Sequence, residues 1–249
     1  MTAEGDRYDR SMGKPGIVTV LGVPSDENSS HHRGAAEAPA RIREVLHSPA
    51  GNLCVECGLD LGTVGGWRDA GDLEIDPARR SFEQIEGGFA RVLEGGDRVL
   101  ALGGDHSITY PVVRALTRRV RDLTILHLDA HPDLYDELDG NRLSHACPFA
   151  RIMEEGLAAR LVSIGIRAAT PHQREQAARF GVETLEAAAY APTAIPELTA
   201  PVYLSLDLDA LDPAFAPGVS HPEPGGLTSR QVIEIVQSLR GRLVGADIV

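Results

Sequence analysis

The run Leu123 to Leu128, followed by Asp129-Ala130-His131-Pro132-Asp133, constrains this chain more than any other stretch. A short apolar-rich run of this kind reads as a strand buried on both faces, the type found in parallel sheets covered by helices. It ends in three metal-capable side chains at alternate positions: Asp129, His131 and Asp133. Alternate side chains of extended backbone share a face. If the extension continues to Asp133, two carboxylates and an imidazole gather in one patch. Carboxylates are seldom buried without a partner, so the patch suits one or two divalent cations better than it suits packing.

The remaining chain alternates in the same way. Strands are expected over 16–22, within 67–75, and over 98–102, 123–128, 160–167, 182–185, 201–206 and 243–249. Helices are expected over 38–47, 81–93, 108–120, 148–155 and 171–180, and from a Thr228 cap to Leu239. Strands interleaved with helices predict an α/β fold: three layers, αβα, around a mostly parallel sheet of about eight strands. Residues 1–15 read as a flexible leader and 16–249 as a single domain, since no linker, repeat or low-complexity block interrupts them.

Composition narrows the function classes. At 249 residues, 43% hydrophobic and 24% charged, the chain can build one large core, and with 4% aromatics that core is mainly aliphatic. A net charge of -12 argues against nucleic acid and anionic membranes and is compatible with a small cationic substrate. No apolar run approaches the ~20 residues of a membrane span. Three cysteines make a disulfide framework unlikely to be the organising device, and a reducing cytoplasm is the expected location. Cys54 and Cys57 form a lone C-x-x-C without a second pair, which is too little for a zinc or redox site.

Acidic and histidine residues follow three of the expected strands: His106 after 98–102, then Asp129, His131 and Asp133, then Asp207 and Asp209 after 201–206. Ligands of open parallel sheets bind beyond the carboxyl ends of the strands, so these clusters are expected to meet. Four carboxylates and two imidazoles form a hard, oxygen-rich set that favours manganese, with iron, cobalt, nickel or catalytic zinc open. A water shared by two such cations is acidic enough to act as a nucleophile near neutral pH.

Five motifs together resemble the ureohydrolase family of arginases and agmatinases. They are G-G-D-H-S at 103–107, D-A-H-P-D at 129–133, S-H-A-C-P-F at 144–149, S-L-D-L-D-A-L-D-P at 205–213 and P-A-F-A-P-G-V-S-H-P-E-P-G-G-L at 213–227. The resemblance runs from about Gly16 to the last residue and has the flavour of the plant-type arginase branch. It implies an arginase-like fold and two Mn2+ per chain. One ion would be held by His106, Asp129, Asp133 and Asp207, the other by His131, Asp129, Asp207 and Asp209, with Asp129 and Asp207 bridging. It implies His145 as the residue that protonates the leaving amine. The reaction implied is hydrolysis of a guanidino group to urea and an amine, with L-arginine to L-ornithine first and agmatine to putrescine next. Guanidinobutyrate, formimino compounds and free guanidine stay in the same class. The resemblance also suggests a homo-oligomer, trimer or hexamer.

Two departures qualify this. The family carries a glutamate directly after the last strand to pair with the guanidinium. Here the sequence stops at Ala246-Asp247-Ile248-Val249, so a member lacking its terminal segment is expected, and an inactive metal-binding scaffold is the alternative. Asp247 could share the missing residue's face at another depth. The positions that read the far end of the substrate in animal arginases hold Tyr135, Asn141 and Leu143 here, of which Asn141 is the obvious reader. His221 is a second candidate substrate contact. Histone-deacetylase chemistry, on a similar fold with one zinc, is a rival that two metals per chain would exclude. Asp105 is expected to order its turn, Asp212 to be a turn residue, His127 to be core, and His31 and His32 to be solvated. Glu223 either faces the site or serves a rigid turn, and Gly103-Gly104 is expected to allow close approach of backbone to the metals.

Overall fold

The computed structural model describes residues 17–198, 201–239 and 243–249. The expected leader, 1–15, lies outside the described residues. Eight strands form one sheet: β1 (Val18–Gly22), β2 (Trp67–Asp72), β3 (Arg98–Leu102), β4 (Thr124–Leu128), β5 (Arg160–Ile166), β6 (Glu183–Glu186), β7 (Val202–Leu206) and β8 (Leu243–Ile248). Their order is β2-β1-β3-β8-β7-β4-β5-β6, and every neighbouring pair is parallel. The expectation of a mostly parallel sheet is therefore exceeded. No helix among the described residues is long and apolar enough to cross a membrane.

The helices are α1 (Ala38–Leu46), α2 (Ser81–Glu94), α3 (Thr109–Thr117), α4 (Pro148–Glu154), α5 (Pro171–Phe180) and α6 (Ser229–Ser238). Their ends follow local chemistry. Pro39, Pro148 and Pro171 lie in first turns, where a missing N–H costs nothing. Thr170 with Gln173 and Thr228 with Gln231 make reciprocal capping boxes.

Side-chain alternation sends successive strand residues into two cores. Ile125, Leu161 and Tyr203 pack with Phe89, Leu116 and Phe149 on one face. Leu126, Val162 and Leu204 pack with Val232 and Ile235 of α6 on the other. This explains why β4 and β7 are buried at every position. It also explains why a polar residue inside them must find a partner.

The chain leaves β3 for β4 and skips the places that β8 and β7 fill later. A crevice therefore opens beyond the carboxyl ends of these central strands, where ligands of such sheets bind.

Candidate metal centre

Three turns deliver the six residues grouped from sequence. His106 opens a 3-10 turn directly beyond β3, and Asp105 caps that turn by accepting from Ser107 N at 3.0 Å. The other carboxylate oxygen of Asp105 accepts from Asn28 N at 3.0 Å and Ser29 Oγ at 3.2 Å, tying in the loop after β1. Gly104 is required by that loop: a Cβ there would stand 1.8 Å from Ser25 O. The close approach expected toward the metals is in fact an approach to neighbouring backbone.

Beyond β4 the extended form does not continue. β4 stops at Leu128 and Asp133 is left-handed, with φ 48°. The alternation expected for 129–133 therefore fails, and a turn sorts the three side chains instead. Asp133 points toward His106, while His131 points toward Asp209. Beyond β7, Asp207 caps a short 3-10 turn by accepting from Asp209 N at 2.7 Å, and Asp209 in turn accepts from Ala130 N at 3.0 Å.

The result is a cluster with two halves. In the first, His106 Nδ1 lies 3.2, 3.1 and 3.3 Å from carboxylate oxygens of Asp129, Asp133 and Asp207. Yet this buried nitrogen makes no hydrogen bond of acceptable geometry. In the second, His131 Nδ1 lies 2.9 Å from Asp209 and 3.4 Å from Asp129. Asp129 belongs to both. Its ligand atoms lie close enough to those of His106 and His127, and to those of His131 and Asp209, for either group to hold an ion.

The electrostatics say what is lacking. Four carboxylates face two imidazoles, so even with both imidazoles protonated two negative charges stay uncompensated. Burial alone would lower the pKa of His106, but Asp129, Asp133 and Asp207 override it and push it well up. His131 is pushed up to about 12 by Asp129 and Asp209 against the same desolvation. Asp209 is held well above the usual carboxylate range by burial first, then by the charges of Asp207 and Asp129. Protons gather where cations are wanted. An orphaned buried imidazole nitrogen beside three carboxylates fits a divalent cation by donor type and by charge.

His127 departs from expectation. It is fully buried, as a core residue would be, but it shares Asp129's face and its Nε2 lies 2.7 Å from Asp129 Oδ2. Its Nδ1 lies 3.2 Å from Ser163 Oγ, and its ring lies 4.0 Å from that of Phe149, tilted by 38°. The 2.7 Å contact is of hydrogen-bond length, so His127 orients the carboxylate.

A cavity of about 1050 Å³ opens above the cluster, lined by His106, His131, Asp133, Asp207 and Asp209 at its floor. His145 and His221 also line it, with their rings stacked at 5.2 Å and 20°. His145 is placed by its backbone N–H donating to Asn28 O at 3.2 Å, and its Nε2 is 2.8 Å from Ser30 Oγ. Burial, then His145 and His131, lower the pKa of His221. His32 borders the cavity, and His31 and His32 are both exposed.

Asn141 does not line the cavity. Its amide donates to Asn28 Oδ1 at 3.0 Å and accepts from Leu143 N at 2.9 Å, so it braces two loops. Asp247 is likewise unavailable to substrate: it is fully buried within β8 and surrounded by hydroxyls. Asp212 is the turn residue expected, accepting from Ala214, Gly225 and Gly226 N–H groups. Glu223 does both things weighed for it. Its carbonyl is pinned by Arg167 at 3.0 and 2.7 Å, and its carboxylate reaches within 3.8 Å of His131 Nε2.

Arg167 went unnoticed in the sequence. Its guanidinium donates to carbonyls of Gly165, Asp209, Ala210, Leu211 and Glu223, joining β5 to the loops that border the cavity. One arginine among 24 basic residues carries no signal of such a role.

The sequence pattern of the Arginase family matches residues 17–249. The chain belongs to the arginase family. Arginase 1, mitochondrial, of Arabidopsis thaliana is 44% identical across 95% of this chain and 74% of its own length. The agmatinase of Bacillus anthracis is 33% identical across 93% of this chain and 82% of its own. The solved arginase of Medicago truncatula superposes with a TM-score of 0.87 at 41% identity, covering 95% of this chain and 79% of that one. Arginase-family members are manganese-dependent hydrolases of guanidino carbon–nitrogen bonds, and this chain is a hydrolase of such bonds.

Proposed function

We propose that this arginase-family enzyme is a binuclear manganese ureohydrolase whose best substrate is L-arginine, with agmatine next. The observation that carries the reading is the buried Nδ1 of His106, without a hydrogen bond and facing three carboxylate oxygens. His106, Asp129, Asp133 and Asp207 would hold one ion, and His131, Asp129, Asp207 and Asp209 would hold the other. The sharing of Asp129 between the two halves supports bridging.

When bound, the cations supply a water of lowered pKa and offset the excess negative charge of the floor. The chain's own residues do the rest. The acidic floor attracts the planar guanidinium cation. His145, held at the wall by Ser30 and Asn28, delivers a proton to the departing amine nitrogen. His221, stacked on His145, restricts that imidazole to one orientation and is a contact for the substrate. Asn141 acts on this wall indirectly, through Asn28.

Arginine is favoured over agmatine by two features. The identity to a plant arginase exceeds that to an agmatinase. Arg33 and Arg41 line the cavity, and a far-end carboxylate, which agmatine lacks, would meet their charge. Both arginines are already paired with acidic neighbours, so the preference is modest. We place the reaction in the cytoplasm, which suits three free cysteines, and in a homo-oligomer, trimer or hexamer.

The test is urea release by protein loaded with Mn2+, across arginine, agmatine, guanidinobutyrate, a formimino compound and guanidine, with metal content by elemental analysis. Two metals per chain and urea from arginine are expected. Urea from none of them would overturn the reading in favour of a metal-binding scaffold.

A further inference from the structure

A row of side chains crosses the sheet one layer beneath the metal ligands. Asp247 of β8 is in register with Ser205 of β7, Ser205 with His127 of β4, and His127 with Ser163 of β5. All four are essentially inaccessible to solvent. We propose that Asp247 and Ser205 are positioning residues that fix the tautomer of His106, so that its Nδ1 offers a lone pair to a divalent cation. The inference rests on the metal-binding reading above and names the residues that make this ligand competent.

The hydrogen atoms along this row can be counted. Asp247 Oδ2 accepts from Tyr203 OH at 2.6 Å and from Thr109 Oγ1 at 2.9 Å, and its Oδ1 accepts from Ser205 Oγ at 2.7 Å. A carboxylate is an acceptor only, and a serine hydroxyl has a single proton to give. That proton goes to Asp247. Ser205 Oγ, which lies 3.0 Å from His106 Nε2, is therefore the acceptor in that contact. Nε2 carries the hydrogen, and in a neutral imidazole Nδ1 is then bare.

The opposite arrangement runs Asp247 to Ser205 to Nε2 and puts a hydrogen on Nδ1. Three carboxylate oxygens stand 3.1 to 3.3 Å away to receive it, yet none is aligned to do so. A second consideration agrees. Among the described residues no cationic side chain touches Asp247, and a buried carboxylate kept only by hydroxyls is costly. A cation held at Nδ1 of His106, two hydrogen bonds along the relay, would offset that cost.

The wild-type enzyme supplies the first test, which needs no variant. Metal-free protein labelled with 15N-histidine is titrated with Zn2+, a diamagnetic probe, and His106 is followed by NMR. The expected result is a slowly exchanging proton on Nε2 and a metal-shifted Nδ1. A protonated Nδ1 in the zinc-loaded protein would overturn the proposal. The second test is calorimetric titration with Mn2+. Ser205→Ala and Asp247→Asn should each weaken binding about 10- to 100-fold, as loss of a hydrogen-bonded support to a ligand does elsewhere. Ser205→Thr, which keeps the hydroxyl, should recover most of it. Wild-type affinity in both weakened variants would remove the relay and leave the metal reading standing. A wild-type protein that binds neither ion would remove both.

Discussion

The two halves of the acidic cluster share Asp129 but are built differently. The His106 half is closed: His106's side chain is 1% exposed and its support comes from strands and α3. The His131 half is open: its side chain is 22% exposed, and of its neighbours Glu223 and His221 sit on a loop and Asp209 on a short 3-10 turn. The closed half is where a ligand can be fixed within a few tenths of an ångström. The open half is where a substrate can enter and a proton can be passed. Rigid support belongs with the first and adaptable chemistry with the second.

The comparison can be broken in several places, beginning with the residue common to both halves. Asp129→Ala should abolish loading of both ions and reduce urea release to background, as read by elemental analysis and a urea assay. Two metals retained by this variant would contradict its shared role. His145→Ala lies in the open half alone. It should keep both metals and slow turnover by about 10²- to 10⁴-fold, the range for a lost general acid. A larger contrast within the cluster comes from paired variants of the two imidazoles. Each variant leaves the other half's donors complete, so each should retain one ion per chain, but the ion left by His131→Ala, in the closed half, should be held more tightly than the ion left by His106→Ala, in the exposed half.

The fourth prediction concerns pH. In the metal-free protein, Asp129 and Asp209 push His131 from an ordinary 6.5 up to about 12, against its burial. A group raised on folding contributes its full stability below 6.5 and loses it as pH climbs toward the folded value. Asp209, also raised, acts with the same sign, while the lowered Asp129 loses its contribution only in acid. Thermal unfolding of the metal-free protein should therefore fall steadily from pH 6.5 upward, and saturating Mn2+ should flatten the slope. An unchanged slope after loading would show that the imidazole protons and the ions do not compete. The smallest effect is expected from Asn141→Ala. It should cost about 1 kcal/mol of stability through its lost loop hydrogen bonds, with the KM for arginine nearly unchanged. A large rise in KM would return Asn141 to the list of substrate contacts.

Much of this was readable before any coordinates. β3 opens on Arg98, continues through the apolar run Val99 to Leu102 and ends where the Gly103-Gly104 pair follows that run. The six acidic and histidine residues stood out because such groups at strand ends are costly unless something compensates them. The turn at Asp133 was not readable: its left-handed backbone depends on packing beyond the local sequence. The supporting row was missed for another reason. Ser163 and Ser205 are common residues in apolar strands and look neutral singly. The available clue was an offset: Ser205 precedes Asp207 by two and His127 precedes Asp129 by two, so each lies on the face of the ligand above it. Arg167 had no comparable clue, since its partners are carbonyls, which every residue has.

The place of β8 carries a consequence for the order in which the enzyme matures. The last of the eight strands to leave the ribosome inserts between β3 and β7, at the middle of the sheet. Until it does, His106 and Asp207 belong to two unjoined half-sheets. A nascent chain can therefore hold every other strand and still have the His106 half of its cluster unassembled. Completion of that half becomes a late, post-translational event, timed by the closing of a gap at the centre.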